Sequence, residues 1–156
     1  MEDPREIAAA SAFRRVSDLI READQMDPTN PTTIHMVIMD GDGYWDFWLG
    51  PVYNDSGLVR KYSQLKAEIS LRTGRSVNDV LRNHPSLLLP SEQELRSDDA
   101  SHKLHAGGVP VIDTKFEITA SVGVAGAGRG LDCLCAKLGA SEYLSVRKRL
   151  AESKAA

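Results

Sequence analysis

The residues of this chain with chemistry to offer are four histidines, two cysteines and one closely spaced set of glycines followed by an aspartate. His102 and His105 lie in Ser101-His102-Lys103-Leu104-His105-Ala106-Gly107-Gly108, with H-x-x-H spacing. On a helical turn both imidazoles would face one way, and either could ligate haem iron or a divalent metal. The plainer alternative is two surface histidines on a loop. His35 falls mid-strand beside Met36 and reads as a packed or face-lining residue, and His84, before a proline, reads as exposed. Gly126, Gly128 and Gly130 strip the side-chain bulk from Ala125–Gly130, and Leu131, Leu134, Cys135 and Leu138 follow at helical spacing. A glycine loop opening a helix leaves backbone N–H groups free to meet an anion, and Arg129 can add charge-assisted bonds. The plainer reading is a sharp turn and close strand–helix packing. Asp132, in the first helical turn, either stabilises that helix terminus or acts as general acid/base beside Arg129. Paired with Arg129 it would stay ionised and donate protons poorly.

The glycines spell G-x-G-x-G rather than the dinucleotide fingerprint. The strands before them read as a hairpin and not as the first strand of a βαβ unit, which argues against a nucleotide site. There is no H-E-x-x-H, nucleophile elbow or P-loop. Cys133 and Cys135 are one residue apart on a predicted helix. Their side chains diverge by ~200° around its axis, so they should not pair with each other. A lone C-x-C is weak evidence for metal.

The elements that must position these residues follow from periodicity. Glu6–Asp24 reads as an amphipathic helix. Ile34–Asp40 and Tyr44–Leu49 read as strands joined by a turn at Gly41-Asp42-Gly43. The second strand puts Tyr44, Asp46 and Trp48 on one face, and Trp45, Phe47 and Leu49 on the other. Leu58–Thr73 is a helix ended by Gly74, locally basic through Arg60, Lys61, Lys66, Arg72 and Arg75. Those cations read as a solvated face, some of them able to reach carboxylates at a pocket rim. A short capped helix covers Ser76–Arg82, and Asn83–Leu104 is irregular around Leu87-Leu88-Leu89. Val109–Ile112 and Phe116–Val124 form a second hairpin through Asp113-Thr114-Lys115. After the central helix, Ser141 is expected to cap a last one running through Leu150.

Composition sets the bounds. The chain of 156 residues, 42% hydrophobic and 26% charged, suits one domain, residues 1–156, with a real core. A net charge of −3 argues against a general nucleic-acid binder. No apolar run reaches membrane-spanning length and the N-terminus lacks a signal-peptide core, so a cytoplasmic location is expected. The fold expected is α/β, an antiparallel sheet of about four to five strands flanked by helices. Two apolar sheet faces and the leucine triplet point to a homo-oligomer.

An ordered series of motifs resembles the GlcG/HbpS-like haem-degrading family. Gly107-Gly108-Val109-Pro110-Val111 matches its GG-[VL]-P-[IV], and Ala120–Ala127 its G-[AS]-[IV]-G-V-[SA]-G hairpin strand. Leu131–Ala136 matches its D-x-x-C-A helix, Asp40–Gly43 its hairpin turn, and Ser63–Arg75 its K-A-x-x-A…G-R helix. The resemblance runs from about Ile34 onward. It implies a profilin-like layered domain and a haem- or corrinoid-linked binding module with haem as candidate cofactor. The pocket is then expected where Ala125–Gly130 meets His102–Gly108 and the basic helix. Its expected residues are His102, His105, Gly107, Gly126, Gly128, Arg129, Gly130 and Arg75, with Asp132 and His105 as catalytic candidates and a small anionic or planar ligand. Two other readings stand beside it: a small biosynthetic or catabolic enzyme reusing that pocket, and an oligomeric accessory protein without ligand.

Overall fold

The structure, a computed structural model, describes residues 2–26, 29, 32–51, 56–96, 104–115 and 117–155, with backbone alone for Ser56, Arg129 and Ala155. In chain order the elements are α1 (Pro4–Met26), β1 (Ile34–Asp40), β2 (Tyr44–Leu49), α2 (Ser56–Thr73) and α3 (Val77–Asn83). A single 3₁₀ turn (Pro85–Leu87), α4 (Pro90–Glu94), β3 (Gly108–Val111), β4 (Ala120–Ala125) and α5 (Arg129–Ala155) follow. The four strands form one antiparallel sheet in the order β2-β1-β4-β3. This is the α/β layered architecture expected from the sequence.

Strand alternation divides the layers. Ile34, Met36 and Ile38 of β1, with Val122 and Val124 of β4, join the larger core beneath α1 and α5. Both helices bring small residues to that seam: Ala8, Ala9 and Ala12 from α1, and Ala136 and Ala140 from α5. The opposite face carries α2, which lies almost on the backbone of the sheet. A Cβ on Gly123 would stand 2.0 Å from the Ser63 carbonyl oxygen, and one on Gly108 would stand 2.5 Å from that of Lys66. Ser121, on the same face, donates its hydroxyl to the Ala67 carbonyl at 2.6 Å. Glycine and serine at these strand positions therefore set the height of α2 above β4 and β3. Both faces of β2 meet helices. Phe47 stacks on Phe13 of α1 with ring centroids 4.8 Å apart, while Asp46 bonds Arg60 of α2 at 2.8 Å.

Two sequence-derived boundaries shift. The final helix is one uninterrupted element, so Ser141 does not open a new one. Gly139 lies inside that helix on its sheet-facing side, where a Cβ would stand in ordinary contact with Met36 Sδ at 3.4 Å. Strand β4 begins at Ala120 rather than Phe116, a residue outside those described. The Asp113 carboxylate accepts the N–H groups of Lys115 and Ile118, each at 3.1 Å, and so winds the connection into a loop. Of the leucine triplet, Leu88 is buried in the smaller core while Leu87 and Leu89 are exposed.

Candidate functional site

The glycine loop is built by two left-handed residues of opposite purpose. Gly126, at φ 113°, sits against backbone, where a Cβ would come within 2.5 Å of the Thr33 carbonyl oxygen. Gly128, at φ 97°, needs glycine for its conformation, yet nothing stands within 4 Å of where its Cβ would be. Gly130, in the first turn of α5, has the same open space. The loop therefore packs through Gly126 and opens through Gly128 and Gly130. The helix begins at Arg129, and its first free acceptor, the Gly128 carbonyl, takes the Asp132 N–H at 2.8 Å. The N–H groups of residues 129–131 have no acceptor within the helix.

Asp132 holds this loop in place. Its Oδ1 accepts the Ala127 N–H at 2.9 Å, and its Oδ2 faces Lys66 Nζ at 3.4 Å. Lys66 in turn donates to the Val124 carbonyl at 2.8 Å. Both side chains are buried. Lys66 is thus the anchor of the loop and not part of a solvated basic face. Its stem passes between α2 and β4, and its ammonium ends beneath the start of α5. Burial pushes the Asp132 pKa up and the Lys66 pKa down, and in each case the partner's charge opposes the shift. Gly107 closes the assembly: a Cβ there would lie 3.0 Å from Lys66 Nζ and 2.7 Å from the Val124 carbonyl oxygen. Gly107 and Asp132, two residues singled out by the sequence, are therefore brought together around a lysine that reads as solvated, while Gly126 packs on the Thr33 backbone.

The remaining candidates are distributed differently. His105 is half-buried two residues before Gly107 and has an interaction partner. His102 and the Arg129 side chain lie outside the described atoms. Arg75 is not beside Lys66. It lies beyond the end of α2 at Thr73, which is itself about 10 Å along the helix axis from Lys66 at ~1.5 Å rise per residue. It bonds Asp79 of α3 at 3.0 Å. Asp132, with both oxygens engaged inside the protein, positions the loop rather than facing solvent as an acid or base. Both cysteines are free; Cys135 is buried, which pushes its thiol up to about 12.

A second polar cluster was not foreseen. His35 Nε2 meets the Asp46 carboxylate at 3.1 Å, its Nδ1 hydrogen-bonds the Ser63 hydroxyl, and its ring lies against Trp48. Serine, histidine and aspartate in sequence suggest a nucleophilic relay. Ser63 and His35 are however wholly inaccessible to solvent, so no substrate reaches them. The cluster ties α2 to the first hairpin. The only sequence signal for it was a histidine and an aspartate on facing strands.

The class of protein defined here is a four-stranded α/β domain whose second hairpin turns through a glycine loop into a long helix. Solved structures share that fold. A double mutant of HbpS from Streptomyces reticuli superimposes with a TM-score of 0.60 over 86% of this chain and 82% of its own, at 20% identity. The Klebsiella pneumoniae protein ORFY gives 0.58 over 86% and 88%, at 15% identity. A complex of PduOC with haem gives 0.55 over 84% and 91%, at 14% identity. No family model and no curated protein matches the sequence. The chain has the fold of HbpS and PduOC, in agreement with the resemblance read from its motifs. Among the described residues no helix is long and apolar enough to cross a membrane.

Proposed function

We propose that this chain is a small-molecule-binding domain that holds an anionic planar ligand, haem, at the mouth of the glycine loop. The observation carrying the proposal is the open side of that loop: Gly128 and Gly130 leave room for a ligand beside the free amides at the start of α5. The residues fit the group. The amides of residues 129–131 would supply donors for a propionate, and Arg129 is the residue whose type could add a charge-assisted bond. His105, half-buried beside Gly107, supplies an imidazole for iron. Haem would contribute the redox and ligand-binding chemistry of its iron. The chain's own residues grip, orient and partly shield it. The buried Lys66–Asp132 pair serves this role by fixing the loop from below. The fold shared with a haem-bound PduOC adds support.

We also infer a closed homo-oligomer, supported by the exposed apolar side chains Tyr44, Leu87, Leu89 and Leu134. Calorimetric titration with haem tests the binding reading. Arg129→Ala should weaken binding by about 1.5–3 kcal/mol, the range for a hydrogen bond to a charged group. His105→Ala should remove the imidazole that would ligate the iron. Gly128→Val should weaken binding by blocking approach, with circular dichroism confirming the fold. Wild-type affinity in both Arg129→Ala and Gly128→Val would remove the site from the loop.

A further inference from the structure

We propose a second site, on the free edge of the sheet, for an amphiphilic carboxylate: an apolar body carrying one carboxylate head. It is independent of the haem reading and shares none of the glycine-loop residues. Strand β3 is the terminal strand, and beside it runs a groove of about 650 Å³. That volume lies within the roughly 300–1,000 Å³ usual for small-molecule sites. Val109, Pro110 and Ile112 form its floor, with Ala140 and Leu144 of α5 as one wall and the Gly74–Ser76 turn as the other.

Three features say what fits. The first concerns the edge itself. The Gly107 carbonyl accepts the Val124 N–H at 2.8 Å, so alternation along the antiparallel pair turns Val109 and Val111 toward β4, and Gly108 and Pro110 outward. Proline at an outward position presents no N–H, so another strand cannot continue the ladder here. The occupant therefore docks by surface and not by backbone pairing. The second feature is apolar: Ile112 is 73% exposed, a large side chain left in water at the mouth of the groove. Covering it and Leu144 is the gain an apolar body offers. The third is charge. The lining holds two cations, Arg75 and Lys137, against one acid, Asp79. Asp79 is engaged by Arg75 at 3.0 Å, and Lys137 on exposed α5 surface has no ion pair among the described residues. An apolar trough with an unneutralised ammonium at its rim matches a carboxylate head on an apolar tail. Ser141, also lining the rim, offers a hydroxyl to the same head.

The test is titration of the isotope-labelled full chain, followed by amide shifts, with three probes. Dodecanoate carries both elements, acetate the head alone, and dodecyltrimethylammonium the same tail with opposite charge. Dodecanoate should give saturable shifts at Val109, Ile112, Ser141 and Leu144. Acetate should give none there, and the cation should bind at least about tenfold more weakly. Lys137→Glu should weaken dodecanoate by about tenfold, or ~1.4 kcal/mol. Ser141→Trp, filling the groove from an exposed position, should abolish the shifts; if it fails to fold, Lys137→Glu decides alone. Equal binding of the cation, shifts centred elsewhere, or undiminished binding in Lys137→Glu would overturn the proposal.

Discussion

Replacing Asp132 by asparagine should separate the charge of the loop anchor from its shape. The amide keeps an oxygen to accept the Ala127 N–H, but Lys66 then lies buried with no counter-charge. Uncompensating one member of a buried ion pair costs about 3–5 kcal/mol. For a domain of this size that corresponds to a loss of roughly 6–20 °C in Tm, at about 2–4 °C per kcal/mol. Lys66→Met leaves the opposite orphan and should also destabilise. The double variant removes both charges and should lose much less than the sum of the two single losses, because the pair is coupled. Urea unfolding of the wild type, both singles and the double forms the complete cycle. The pH dependence adds a second check. Burial lowers the Lys66 pKa below its ordinary 10.5, so the unfolded chain holds more protons than the folded one between those values. Stability of Asp132→Asn should therefore recover as pH rises through the folded Lys66 pKa toward 10.5. Single losses that add to the double within ~0.5 kcal/mol would refute the reasoning that Lys66 and Asp132 act as one unit.

Other outcomes follow from named contacts. Burial lowers the His35 pKa below its ordinary 6.5, so the stability it confers is complete above pH 6.5 and is lost as pH falls through the folded value. Acid unfolding of His35→Gln should lack that component. Gly123→Ala should destabilise by more than about 3 kcal/mol or displace α2, since the new Cβ would meet backbone at 2.0 Å. Gly128→Ala, strained at φ 97° but unobstructed, should cost only about 1 kcal/mol, and chemical unfolding distinguishes the two. Light scattering across a wide concentration range should give an oligomer mass; a persistent monomer would remove the homo-oligomer from the account.

Much of this architecture was legible because its signals are local. Both hairpins announce themselves by alternation and by glycine or aspartate turns, and α2 by its apolar spacing and Gly74. The glycine loop was legible as a loop, but the division of labour within it was not. Whether Gly126 packs and Gly128 opens depends on Thr33 and Val59, which come from distant segments. Lys66 shows the same limit more sharply. A lysine among other cations on a helix reads as solvated, and only the three-dimensional approach of Asp132 and Val124 explains its burial. Glu92 is a parallel case: on a one-turn helix it looks exposed, yet it is buried against Arg72 and accepts the Leu89 N–H at 2.8 Å.

If the glycine loop is the binding site, a planar anion sits on its open side. The most direct measurement is titration of the labelled protein with ferric haem, using the paramagnetic broadening of amide resonances by the iron. Resonances of Gly126, Gly128, Gly130, Leu131, His105 and Gly107 should broaden first and together, and Arg129→Ala should shift the midpoint to higher haem concentration. Broadening centred on Ile112, Ser141 and Leu144, or spread evenly with no saturation, would contradict it.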